Sequence, residues 1–307
     1  MKTSGIDLVK LVRPKQWTKN LIAFVPILFA MKIHELPLLL RVSGCFAAFC
    51  FASSAIYVLN DVLDRETDRA HPTKKNRPIA SGRVSLGAAR TVAIGCTIVA
   101  ILISFLVRPS LVLVIAAYLG LMVCYTLWLK HMVLVDVFCI ATGFVLRALG
   151  GAVAASIYIS NWFLLCTSFG ALFLGLEKRR KELQLLKDDA QSHRKTLTSY
   201  SVELLDRMES VIVPCLLTCY ALYSFQSYHG QNMLITVPFV VFGILRYQYL
   251  SVRDMSTGSP EEVLLKDRPI QIAILLWVIT SGLVVYGLIT PMMQAVTQTM
   301  DSYTIFR

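Results

Sequence analysis

Residues 42–70 read VSGCFAAFCFASSAIYVLNDVLDRETDRA. Positions 42–60 carry no charged side chain, whereas positions 61–70 hold four acids and two arginines. An uncharged run of this length is close to the roughly 20 residues an α-helix needs to cross bilayer hydrocarbon. It reads as a membrane span that ends where the charge begins.

The same alternation extends in both directions. The chain has 307 residues, of which 56% are hydrophobic and 16% charged, against about a quarter charged in a soluble domain. Apolar runs predict nine spans at about 20–39, 42–60, 86–107, 110–129, 132–154, 161–178, 209–228, 232–250 and 270–290. Prolines at 26, 37, 109, 214, 238 and 291 are tolerable inside or at the ends of such helices. The expectation is an all-α polytopic membrane protein with about nine transmembrane helices. The first apolar run lacks a small-x-small cleavage site and reads as a retained helix rather than a signal peptide. No soluble domain, internal repeat or low-complexity segment stands out. Residues 1–307 therefore read as a single transmembrane domain, with 1–19 as an interfacial N-terminal segment.

A net charge of +11 would suggest nucleic acid in a soluble protein. Here the positive-inside rule explains it, and no nucleic-acid partner is expected. With the N-terminus inside, 25 of the 30 Lys and Arg residues fall in the cytoplasmic segments 1–19, 61–90, 130, 178–207 and 246–268. Lys32, Arg41, Arg108 and Arg307 fall outside, and Arg147 lies within a span. The C-terminus is then outside and the chemistry belongs on the cytoplasmic face. The eight cysteines all lie in apolar runs without a CxxC pair, as expected of small buried hydrophobes.

The charge that ends the second span is patterned. On a helix Asp61, Asp64 and Asp68 stand at i, i+3 and i+7, within roughly 60° of one another, and Asn60 lies one turn before Asp64. Three carboxylates on one stripe repel unless a cation lies between them. Hard oxygens of this kind suit Mg²⁺, which completes its shell with water and substrate phosphates. The alternative is a solvated helix end with Arg65 paired to Asp61. A basic run follows, His71–Arg83, in which Pro72, Pro78 and Gly82 prevent a continuous helix. Lys74, Lys75 and Arg77 can reach phosphate oxygens there or anchor anionic lipid.

The string NDVLDRETDRAHPTKKNRPIASG, residues 60–82, resembles the first motif, NDxxDxxxD, of the UbiA superfamily of intramembrane prenyltransferases. Leu11–Asn20, Arg147–Gly151, Leu176–Leu183 and Ser259–Pro269 resemble one branch of it, the decaprenyl-phosphate phosphoribosyltransferases. The resemblance implies nine transmembrane helices around a central cavity open to the cytoplasmic side of a bacterial inner membrane. It implies Mg²⁺-dependent transfer of 5-phosphoribose from phosphoribosyl diphosphate to a polyprenyl phosphate, releasing diphosphate, with membrane lipids around it. It also implies that Asp61, Asp64 and Asp68 are the catalytic metal ligands, with Asn60 at the substrate.

Aromatic prenyltransferases of this superfamily carry a second acidic motif after the sixth span, where this chain has Glu177–Lys178–Arg179–Arg180–Lys181–Glu182. Two phosphorylated substrates bring extra phosphate charge that cations neutralise directly. The alternative is a positive-inside anchor with pairs Glu177–Lys181 and Lys178–Glu182. The expected substrate-binding set is Asn60, Lys15, Lys74, Arg77, Lys130, Arg147, Lys178 and Arg179. Arg147 is costly inside a span, and is read as a phosphate ligand or as an ion pair with Asp136. Arg13–Asn20, with Trp17, suits a headgroup-level segment. Ser259–Glu262 has the form of a capping box, with Lys266, Asp267 and Arg268 at the end of its helix as candidates for substrate contact.

Two rivals remain at this point. One is prenyl transfer from a polyprenyl diphosphate to an aromatic acceptor, against which the basic second region argues. The other is a cation-binding membrane transporter, which predicts ionisable residues along a path through the bilayer.

Overall fold

The computed structural model describes residues 4–71, 74–185, 199–226, 230–253, 263 and 266–288. Every regular element among them is helical. The chain divides into two compact units, Met1–Ile159 with Asp188–Tyr200, and Ser160–Lys187 with Ser201–Arg307.

The first unit opens with α1 (Gly5–Val12), capped by Ser4, whose side chain accepts from the Ile6 amide. Ile6, Leu8 and Val9 are exposed and Leu11 is buried, as suits an interfacial helix. Arg13 then turns the chain at φ 51°, and Pro14–Phe24 continues as a 3₁₀ helix into α2 (Val25–Phe29). The span expected at 20–39 is therefore not one helix. Pro26 and Pro37 each sit at the start of a helix, where a missing N–H does no harm, and Met31, at φ 59°, turns the chain between them. By rise per residue, Pro14–Phe29 still extends roughly 30 Å, about the thickness of the hydrocarbon layer.

The unit continues with α3 (Leu36–Leu63), α4 (Arg65–Ala70), α5 (Leu86–Val107), α6 (Pro109–Leu127) and α7 (Val135–Ala155). Ser85 caps α5 by accepting from the Ala88 amide at 3.2 Å. Arg108 donates to Val153 O at 3.1 Å, satisfying a carbonyl at the end of α7. Cys45, Ala48, Phe49 and Ala52 of α3 pack with Ala100, Leu111, Val114, Ile115, Tyr118 and Ala154. Small residues dominate the α3 and α7 surfaces of this core, which lets backbones approach closely without a hydrophobic driving force between helices in lipid.

The second unit holds α8 (Asn161–Leu185), α9 (Val202–Gln226), α10 (Val237–Arg253) and α11 (Arg268–Val285). Phe173, Val213, Leu216, Ile244, Tyr247, Val263 and Ile270 form its core. Asp267 caps α11, accepting from the Ile270 amide at 2.9 Å and from Arg246 Nη2 at 2.9 Å. Those bonds hold the Asp267 carboxyl below the usual carboxylate range, with the Arg246 hydrogen bond the largest cause.

Among the described residues seven helices are long and apolar enough to cross a membrane: Leu36–Leu63, Leu86–Val107, Pro109–Leu127, Val135–Ala155, Val202–Gln226, Asn232–Arg253 and Arg268–Val285. Two of the nine expected spans are not among them. The first is the Pro14–Phe29 stretch. The second is α8, which is long enough but carries Thr167, Ser168 and Gly170 in its apolar part and ends in charge.

Candidate active site

All three carboxylates of the acidic motif lie in the first unit, where α3 hands over to α4. Asp64 is the hinge, closing α3 and opening α4 at φ −88°, ψ 10°. The helical turn is kept across it, with Asp68 N donating to Asp64 O at 2.8 Å. Asp61 and Asp68 are buried, at 2% and 4% exposure, while the Asp64 side chain is 30% exposed.

Each carboxylate meets a cation. Arg77 Nη1 lies 3.0 Å from Asp61 Oδ1 and 2.7 Å from Asp68 Oδ2. One guanidinium nitrogen thus sits between two like charges, the position in which the sequence calls for a cation. Arg13 Nη2 lies 2.5 Å from the same Asp61 Oδ1. Lys130, buried in the short 3₁₀ turn Leu129–His131, places Nζ 2.7 Å from Asp64 Oδ1. The solvated pairing of Arg65 with Asp61 does not form; Arg65 lies nearest Glu66, at 3.8 Å.

The loop carrying Arg77 is held from both ends. Arg69 Nε donates to Ala80 O at 3.1 Å, and Arg83 donates to Asn76 O at 2.7 Å and to Asp7 Oδ1 at 3.0 Å. Ile79 is buried against Leu11, Val58 and Val84. Behind Lys130, Tyr200 OH accepts from the Leu134 amide at 2.7 Å and donates to Asp136 Oδ1 at 2.9 Å. Leu134 stands at φ 68°, a backbone position that needs such support in a residue with a Cβ.

The remaining expected residues divide. Asn60 is half-buried on the last turn of α3, its carbonyl accepting from Asp64 N at 2.9 Å. Lys15 is exposed two residues beyond Arg13, and Lys74 lies in the 3₁₀ turn Lys74–Asn76 beside Arg77. Arg147 is buried deeper in the unit. It donates to Asn20 Oδ1 at 2.7 Å, Gly143 O at 2.8 Å and Tyr118 OH at 2.8 Å, and stacks on the Tyr118 ring at 4.7 Å. The ion pair with Asp136 is not formed, because Asn20 arrives on the N-terminal segment and takes the guanidinium. Trp17 is likewise drawn inward, donating to Ser54 Oγ at 3.1 Å. The Arg13–Asn20 segment is therefore bonded to α3 and α7, not only seated at the headgroup level.

Lys178 and Arg179 belong to the second unit. Lys178 is exposed, whereas Arg179 is buried and pairs with Glu182. Arg180 is also buried, with Nη1 2.5 Å from Asp206 Oδ1 and Nη2 3.0 Å from Glu209 Oε1; Glu177 lies beside it and accepts from Ser251. Arg180 therefore fastens α8 to α9. Asp267 is occupied as a helix cap. Ser259–Glu262 lies outside the described residues.

Two contributors escaped the sequence reading as site residues. Arg13 is 48 positions from Asp61, and Tyr200 is 66 from Leu134, so neither pairing has a local signal. The only hint was Arg13's place in a cationic segment with Trp17.

The carboxylates supply hard oxygen donors, but among the described residues no group of three His, Cys, Asp or Glu side chains is placed to hold a metal ion. The arrangement fits a Mg²⁺ held by one or two carboxylates and completed by substrate phosphates, rather than one caged by protein.

The UbiA prenyltransferase family profile matches residues 21–268, a stretch that takes in the acidic motif and its basic loop and runs from the first unit into the second. The chain belongs to the UbiA prenyltransferase family. It is 36% identical over 295 residues to the decaprenyl-phosphate phosphoribosyltransferase of Mycolicibacterium smegmatis, covering 91% of this chain and 92% of that one. With the Corynebacterium glutamicum protein of the same name it shares 37% over 295 residues, covering 93% and 88%. Among solved structures, a UbiA homolog from Archaeoglobus fulgidus bound to DMAPP and Mg²⁺ superposes with a TM-score of 0.68 at 17% identity, over 91% of this chain and 98% of that one. This UbiA family member is thus a multi-span membrane protein with the fold of that homolog.

Proposed function

We propose that this protein transfers 5-phosphoribose from phosphoribosyl diphosphate to a polyprenyl phosphate and releases diphosphate. The observation that carries this reading is the near end-to-end likeness to relatives named decaprenyl-phosphate phosphoribosyltransferase. The cation-rich string Lys178–Lys181, in place of a second acidic motif, agrees with two phosphorylated substrates. One family match runs from the first unit into the second, so the two are taken as one transferase domain. Its N-terminus and acidic motif are assigned to the cytoplasmic side and its C-terminus to the outside, by the distribution of positive charge.

In the proposed reaction the ribosyl C1–O bond to diphosphate breaks and a new C1–O bond forms to an oxygen of the lipid phosphate. The lipid phosphate is already ionised and needs no strong general base. Asp64 and Asp68 would hold Mg²⁺ together with the diphosphate, and the ion would neutralise charge on the leaving group. Asp61 holds Arg13 and Arg77 in place. Lys130 fixes the Asp64 carboxylate. Lys15 and Lys74, exposed or loop-borne cations of the first unit, would orient a substrate phosphate for in-line displacement; Lys178 remains a candidate phosphate ligand of the second unit. Arg147 acts at a distance, by holding Asn20 and with it the segment that carries Arg13.

The test is a pair of incubations of the purified protein with Mg²⁺. One contains phosphoribosyl diphosphate and polyprenyl phosphate; the other contains a polyprenyl diphosphate and an aromatic acid. A phosphoribosylated lipid in the first alone supports the proposal, and a prenylated aromatic product in the second alone replaces it.

A further inference from the structure

Among the described residues, a positive φ outside glycine occurs at Arg13, Met31, Leu134 and Ser156. Arg13 and Ser156 occupy the left-handed helical region, which a side chain tolerates at modest cost. Leu134, at φ 68°, ψ −45°, does not. Val135 N donates to Val133 O at 2.8 Å across it, which closes a γ-turn of the rare, strained kind with positive φ at its centre. The Leu134 side chain is 40% exposed, so its own packing does not hold the turn. The holding group is Tyr200, whose hydroxyl accepts from Leu134 N at 2.7 Å and donates to Asp136 Oδ1 at 2.9 Å.

The clamp is itself fixed. Tyr200 and Asp136 are both buried, and Asp136 Oδ1 also accepts from Val137 N at 2.9 Å. On the other side of the turn stands Lys130, four residues before Leu134. Met132 N donates to Leu129 O and Asp136 N to Met132 O, each at 3.1 Å, so the chain from Lys130 to α7 is a run of bonded turns. A change in the Leu134 dihedrals is not absorbed by slack in such a run and passes to Lys130. The Lys130 side chain is 7% exposed, with Nζ 2.7 Å from Asp64 Oδ1, a contact that a shift of about 1 Å would break. Backbone strain of this kind persists only where the surroundings over-determine it. Here the over-determining contact comes from a residue 66 positions away.

We propose that Tyr200 is a positioning residue: its hydroxyl clamps the strained turn at Leu134 and thereby sets where Lys130 meets Asp64. Without the hydroxyl, Leu134 relaxes towards negative φ and Lys130 Nζ withdraws from the carboxylate. The clamp and the strain are matched, so the need for the hydroxyl depends on the residue at position 134. Glycine populates positive φ about as readily as negative φ, and Leu134→Gly therefore makes the hydroxyl dispensable. A tyrosine that merely filled space would show no such dependence.

The consequence for turnover rests on the proposed reaction, but the clamp is tested without substrate or metal. The full chain in detergent is reductively methylated with formaldehyde and a borane, and each lysine is read by mass spectrometry, with exposed Lys10 of α1 as the internal reference. Tyr200→Phe keeps the ring and should speed modification of Lys130 about threefold to tenfold, the worth of one hydrogen bond, with Lys10 unchanged. Adding Leu134→Gly to Tyr200→Phe should return Lys130 to within about twofold of the wild type, because glycine holds the turn unaided. If Tyr200→Phe alone does not fold, the proposal still requires that the double variant folds and protects Lys130. The turnover number should fall and recover with the labelling, at unchanged KM for the lipid phosphate. Labelling that behaves in this way in a protein that makes no phosphoribosylated lipid strikes the proposed reaction and leaves the clamp standing. Wild-type labelling of Lys130 in Tyr200→Phe, or a double variant as reactive as Tyr200→Phe, overturns the proposal.

Discussion

A Cβ added at Gly151 of α7 would lie 1.9 Å from Ala23 O, 2.7 Å from its carbonyl carbon and 3.0 Å from its Cα. All three are backbone atoms, so no rotamer relieves the clash. A carbon–oxygen contact settles at about 3.3–3.6 Å, so Gly151→Ala must push the Pro14–Phe29 stretch roughly 1.5 Å from α7. Hydrogen bonds fail beyond about 3.5 Å, and Asn20–Arg147 at 2.7 Å and Trp17–Ser54 at 3.1 Å would not survive such a move. Overpacking costs about 1–3 kcal/mol, and each interhelical hydrogen bond lost within the membrane adds about 0.6–1.7 kcal/mol. The expected destabilisation is about 2–6 kcal/mol. Activity should fall further than stability accounts for, by about tenfold or more, because Arg13 leaves Asp61 with the segment. Gly120 on α6 is the control: a Cβ there meets nothing within 4 Å, and Gly120→Ala should be neutral or stabilising by up to about 1 kcal/mol. Thermal unfolding in detergent and diphosphate release, measured on both variants, decide the matter. A Gly151→Ala protein as stable and active as the wild type would refute the packing of the N-terminal segment on α7 and the placement of Arg13 that depends on it.

Asp64→Asn keeps the shape of the hinge but loses its charge, and should reduce turnover by about a hundredfold or more while the protein elutes as a single folded species. Lys178→Gln should raise the apparent KM for one phosphorylated substrate about ten- to a hundredfold at unchanged Tm, whereas Arg179→Gln, which strips a buried partner from Glu182, should lower Tm as well. Arg246 holds the folded-state pKa of Asp267 below its usual value, so its stabilisation is present at neutral pH and is lost as pH falls through that lowered value. The Tm values of wild type and Asp267→Asn should accordingly differ at pH 7 and converge below about pH 4. Cysteine labelling after removal of native thiols should report positions 64 and 178 from the cytoplasmic side and 307 from the outside.

Bilayer thickness imposes a length on apolar runs, and so most of the spans were legible in the sequence to within a few residues. The acidic stripe was legible because helical periodicity aligns Asp61, Asp64 and Asp68 whatever surrounds them. Two kinds of feature were not. Pro26 and Pro37 can sit within a span or open one, and local sequence does not choose; here each opens a helix, with Met31 turning between them. Pairings between distant segments leave no periodic trace: Arg13 with Asp61, Asn20 with Arg147 and Tyr200 with Asp136 arise only when the N-terminal segment, α3, α7 and the Leu129–Val135 turn are packed together. Arg77 combines both cases. Its cationic loop was evident beside the acids, but its seat between two of them was not.

In the proposed reaction the anomeric carbon of a phosphoribosyl donor passes to a lipid phosphate. Polyprenyl phosphate labelled with ¹⁸O in its phosphate group, incubated with phosphoribosyl diphosphate, Mg²⁺ and the purified protein, tests it by mass spectrometry of the lipid and of the released diphosphate. The proposed transfer gives a lipid heavier by one phosphoribosyl group that retains all of the label, and diphosphate that carries none. Unchanged polyprenyl phosphate under conditions where the protein consumes a polyprenyl diphosphate, or label appearing in the diphosphate, would contradict it.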